Sequence, residues 1–171
     1  MKEWIPIPGT NKDTLIKVAL EEFCSHGYQG VNITELAKIA EMTTGAIYHH
    51  FGSKANLYEV IRTEMEQRVI DRMEGAASLF DEPEEALQAA LLTGLDAAVK
   101  LNICKLLSEE LPYDKEDRIE AFFSTLYIHD RDLPVEMILI SSWRSILKGI
   151  STDQISSSQG KDLIKWIFNK K

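Results

Sequence analysis

Residues 32–54 constrain this chain more than any other stretch. They read Asn-Ile-Thr-Glu-Leu-Ala-Lys-Ile-Ala-Glu-Met-Thr-Thr-Gly-Ala-Ile-Tyr-His-His-Phe-Gly-Ser-Lys. Asn32 is a good N-cap, and Glu35 follows at capping-box spacing. Ile33, Leu36, Ala37 and Ala40 then recur on one narrow apolar face. Glu41-Met42 interrupts the pattern. Thr43 is a second N-cap, opening a helix of about two turns through His50. Ile47 and Phe51, four apart, point to one small core. Gly52-Ser53 stops this helix, and Ser53 caps the next.

Two short helices joined by a tight turn cannot fold alone and need a third as support. The flanking sequence provides it: Thr10 caps a helix to about His26, lined by Ile16, Ala19, Leu20 and Phe23 and ended by Gly27. Such a unit leaves its second short helix on the surface, able to enter a DNA major groove. Its exposed positions are Thr44, Gly45, Ala46, Tyr48, His49 and His50. Small residues at its start let the backbone approach base edges. Tyr48 and the histidines reach phosphates from the flank.

This pattern resembles the DNA-binding domain of the TetR (tetracycline-repressor) family of transcriptional regulators. The resemblance rests on Leu15, Ala19, Phe23 and Gly27, then Leu36-Ala37, Thr43, Gly45, Ile47-Tyr48, His50-Phe51, Ser53-Lys54 and Leu57. It covers roughly the first third of the chain. Glu41 departs from it, since the family usually has glycine in that turn and a non-glycine there strains the backbone. The resemblance implies an all-α fold: an arm over 1–9, a helix-turn-helix domain over 10–56, and a helical effector-binding and dimerisation domain over 57–171. It also implies a ligand-responsive regulator, most often a repressor, bound to a palindromic operator as a homodimer. The expected DNA contacts are Thr34, Thr43, Thr44, Gly45, Ala46, Tyr48, His49, His50 and Lys54.

Charge does not advertise this role. The net charge is -8, and residues 1–60 hold Lys2, Lys12, Lys17, Lys38 and Lys54 against seven carboxylates. Nucleic-acid binding must then rest on the one face that meets DNA, through Lys54, Lys38, hydroxyls and helix N-termini. Affinity needs two copies of the domain.

The remaining chain also reads as helix. A long helix from Ser53 past Glu74 towards Phe80 is expected to act as a lever between domains. Pro83 opens another helix, over 84–100. A short one lies within 101–110. Asp114 caps one from about Lys115 to Ile128, and Asp132-Pro134 opens one to about Lys148. Gly149–Gly160, rich in serine, reads as a loop before a last helix over about 161–169. Leu106, Phe122, Phe123, Leu126, Tyr127, Met137 and Trp143 fill the middle of this half. By residue type they are packed core; by the resemblance they line a pocket for a small apolar or amphipathic effector. The last two helices resemble the pair through which family members dimerise, with Ile138, Ser142, Ser145, Ile146, Leu163, Trp166 and Ile167 at the interface. A monomer would leave this apolar area exposed.

Other functions find little support. No apolar run approaches the ~20 residues of a membrane helix. Met1–Pro8 is not a signal peptide. Cys24 and Cys104 are far apart, so they read as reduced thiols of a cytoplasmic protein. The four histidines lack ligand spacing, and there is no nucleophile elbow, phosphate loop or dinucleotide fingerprint. We therefore expect no enzyme, cofactor, metal or membrane partner. The alternative is a helical protein-interaction module without specific DNA binding.

Overall fold

The structure is a computed structural model that describes residues 9–110, 117–126 and 135–169. Among these residues there are nine helices and no strand. Contacts divide the chain into two compact units, Met1–Glu64 and Met65–Lys171, with the division inside the long helix α4.

In the first unit, α1 spans Asn11–Gly30, α2 Ile33–Ile39 and α3 Thr44–Phe51, and α4 (Lys54–Ala77) begins here. The side chain of Thr10 accepts from the Asp13 N–H and caps α1. Gly27 interrupts α1 with φ 72° and ψ 175°, where a side chain would be strained. The regular helix therefore ends at His26, as its glycine signalled, and the chain turns to present Tyr28. The core is built from Leu15, Ala19 and Phe23 of α1, Leu36 of α2, Ile47 of α3, and Leu57 and Tyr58 of α4, all essentially without solvent exposure. Burial of each large apolar side chain here contributes about 1.5–3 kcal/mol, which is what lets such short helices persist.

The second unit holds the rest of α4 with α5 (Pro83–Lys100), α6 (Cys104–Ser108), α7 (Arg118–Leu126), α8 (Val135–Ser151) and α9 (Ser157–Phe168). Leu87, Leu91, Leu95, Leu106, Leu107, Phe123, Trp143, Leu147 and Ile164 form its core. Helices α4 and α5 approach closely at Gly94, where an added Cβ would lie 1.9 Å from Met73 Cε. Cys104 is buried, which pushes its thiol up to about 11 and leaves it neutral and inert at neutral pH.

Two boundaries differ from the sequence reading. The serine-rich stretch 149–160 is not one loop: α8 continues to Ser151, and α9 begins at Ser157 behind a capping box of Ser156 and Gln159. The cap of α7 is Asp117, whose Oδ1 accepts from the N–H groups of Ile119 and Glu120 at 3.0 and 3.1 Å. Asp114, Asp132 and Pro134 lie outside the described residues.

Candidate nucleic-acid interface

Local capping builds α2 and α3. The Asn32 side chain accepts from the N–H groups of Thr34 (2.8 Å) and Glu35 (3.4 Å). Thr43 Oγ1 accepts from the Ala46 N–H at 3.1 Å. Glu41 links the helices with φ 54°, the left-handed backbone that its departure from glycine implied. Its N–H donates to the Lys38 carbonyl, and the Met42 N–H donates to Ala37, which is the Schellman pattern.

The two faces of α3 then separate cleanly. Ile47 and Phe51 are buried, whereas Gly45, Tyr48, His49 and His50 are exposed and Thr44 and Ala46 half-buried. Tyr48 keeps 49% of its surface in solvent. Gly45 faces open space: an added Cβ would meet only Thr43 Oγ1, at 3.8 Å. No internal packing asks for a glycine there, and alanine is the better helix former. Thr34 is exposed at the start of α2, and Thr43, also exposed, caps α3. The His49 and His50 rings lie edge to face, 5.6 Å apart.

Helix α3 has no lysine or arginine of its own. Cations come from the neighbouring helices. Lys54, in the first turn of α4, places its Nζ 4.6 Å from the Tyr28 ring centroid. Burial draws its ammonium below the usual lysine range. Lys12, in the first turn of α1, places its Nζ 5.6 Å from the centroid of Phe51. Sequence reading did not single out Lys12 or Tyr28. Lys12 is remote from residues 32–54 in sequence and Tyr28 lies just before them, and only the ring contacts distinguish the two.

The other sequence candidates fall in the second unit. Leu106, Phe123 and Trp143 are packed core, and Met137 is 55% exposed. Phe122 and Leu126 line a cleft of about 490 Å³ with Gln67, Ile70, Glu74, Arg118, Ala121 and Thr125. Tyr127 lies outside the described residues. On another face, Ser142, Ser145, Ile146, Leu163, Trp166 and Ile167 line one shallow groove between α8 and α9, joined by Ser141. Ile138 and Trp166 are 64% and 74% exposed. Among the described residues no His, Cys, Asp and Glu side chains gather as a metal site, and no helix is long and apolar enough to cross a membrane.

Comparison with known proteins agrees with this geometry. The family model for bacterial regulatory proteins of the tetR family matches residues 15–61, which contain α2, α3 and their turn. The chain is 31% identical to the HTH-type transcriptional regulator AcrR of Shigella flexneri, over 56% of this chain and 45% of that protein. It is also 31% identical to the HTH-type transcriptional repressor AcnR of Corynebacterium glutamicum, over 37% of this chain and 34% of that protein. The chain thus spans less than half the length of either relative. The crystal structure of AibR in complex with isovaleryl coenzyme A and operator DNA has the same fold: TM-score 0.65, 18% identity, 93% of this chain and 98% of that one. Residues 15–61 thus match the model of the tetR family of bacterial regulatory proteins, and the chain as a whole shares the fold of solved structures such as AibR.

Proposed function

We propose that this protein is a ligand-responsive transcriptional repressor that binds a palindromic operator as a homodimer in the cytoplasm. The observation that carries the reading is α3. Its inner face is sealed by Ile47 and Phe51, and its outer face is open, with a glycine that nothing inside the protein requires. Thr44, Gly45 and Ala46 face base edges in the major groove. Thr34, Thr43, Tyr48, His49, His50 and Lys54 hold the phosphate backbone on either side.

The cleft beside Phe122 and Leu126 receives the effector. Its lining mixes apolar side chains with Gln67, Glu74, Arg118 and Thr125, which suits a small amphipathic molecule. A relative of the same fold was solved with both an acyl coenzyme A and operator DNA. One helix, α4, contributes Lys54 to the DNA-binding surface and Gln67, Ile70 and Glu74 to the cleft. An effector that prefers one arrangement of this helix shifts the population of DNA-competent molecules.

The groove between α8 and α9 is the dimer face. Its exposed Trp166 and Leu163 are the apolar surface that a two-fold partner buries. A helical protein-interaction module is not favoured, since it gives no role to a tetR-type domain over 15–61.

Selection of bound duplexes from a random DNA pool tests the reading. Enrichment of a palindrome with half-sites about one helical turn apart, ~34 Å or somewhat more, is the expected result. A pool that stays random after repeated rounds overturns it.

A further inference from the structure

We propose that Tyr28 is a positioning residue for DNA binding: its ring seats the Lys54 ammonium so that it meets a backbone phosphate beside α3. This inference rests on the DNA-binding reading above and adds a residue to it.

The need comes from the absence of lysine and arginine on α3. Phosphate neutralisation must be brought from neighbouring helices, and lysine is a poor choice unless held, because its long chain loses rotamer freedom on contact. An ammonium within ~6 Å of an aromatic centroid is attracted to the ring face. Lys54 satisfies this on Tyr28 at 4.6 Å.

The seat is itself rigid. Tyr28 packs edge to face on Tyr58 with centroids 5.0 Å apart, and Tyr58 packs the same way on Phe23, also at 5.0 Å. Tyr58 and Phe23 are fully buried. The Tyr58 hydroxyl accepts from Arg62 Nη1 at 3.2 Å. The stack thus runs from the core to the ammonium, and the kink at Gly27 turns Tyr28 onto it. Ring and phosphate are compatible partners, because the ring takes one side of the ammonium and leaves its N–H donors for an anion. Lys12 on Phe51 repeats the arrangement with a different helix and a different ring.

The test is a double-mutant cycle on the full chain, read by equilibrium binding to a mixed-sequence duplex at low salt. Tyr28→Leu should weaken binding roughly two- to fivefold per domain. Tyr28→Phe, which keeps the ring, should bind like the wild type. In a Lys54→Gln background, Tyr28→Leu should cost nothing further. A loss of equal size in both backgrounds makes Tyr28 a structural residue only and overturns the inference. The wild-type protein gives a second readout that survives any folding failure of the leucine variant. Ring current should displace the Lys54 ε-methylene proton resonances upfield, and resonances at ordinary lysine positions overturn the proposal. If the wild type binds no duplex at all, the DNA-binding reading falls first and takes this inference with it. If it binds and the cycle is additive, this inference alone fails.

Discussion

Trp143 of α8 donates its indole Nε1–H to the backbone carbonyl of Leu91, 3.1 Å away in the middle of α5. The indole is 1% exposed, so this bond and the ring's volume both lie inside the second unit. Trp143→Phe removes the donor and leaves a void, with an expected cost of about 2 kcal/mol in urea unfolding. Effector affinity should stay within about twofold once the folded fraction is accounted for, since Trp143 is not part of the lining of the cleft beside Phe122.

Gly45→Ala separates fold from function. The new methyl points into open space and removes a poor helix former, so thermal stability should rise, by up to ~1 kcal/mol. In the proposed docking the same methyl would fill the gap between helix backbone and base edges. Operator affinity should fall at least tenfold. A variant both more stable and equally tight would show that α3 does not approach DNA at this residue.

Glu41→Gly relieves the left-handed turn between α2 and α3. Relief of roughly 1–2 kcal/mol is partly offset by the entropy of a glycine in the unfolded chain, leaving a gain of ~1 kcal/mol or less. Calorimetry should place the melting temperature about 2–4 °C higher at most.

The turn shows how much of the molecule was legible beforehand. Caps and spacing sufficed for α2, α3 and their faces, because Asn32, Thr43, Ile47 and Phe51 act on neighbours three or four residues away. Tertiary choices were not legible. Asp117 caps α7, and its second carboxylate oxygen pairs with Arg144 from α8. By residue type Trp143 read as packed core, but its bond to a carbonyl 52 residues away could not be read from the sequence. Ser156 was hidden among other serines, although Gln159 three residues later completes its capping box.

Trp166→Glu tests assembly without touching the core, because the indole is 74% exposed in the single chain. Sedimentation should report a dimer for the wild type and a monomer for the variant at micromolar concentration, with helicity by circular dichroism preserved. Operator binding should weaken sharply along with the dimer. A variant that still sediments as a dimer would move the interface away from α8 and α9.

The lack of lysine and arginine on α3 bears on how such a molecule finds its target. Ionic attraction to bulk chromosome grows with every phosphate neutralised, as displaced counterions gain freedom. With Lys12, Lys38 and Lys54 as the lysines offered by each of two domains, the logarithmic slope against salt should be no steeper than about -5. An acidic body of net charge -8 weakens that pull further. The regulator would spend little time sliding on unrelated sequence and would reach its operator mainly by arrival from solution.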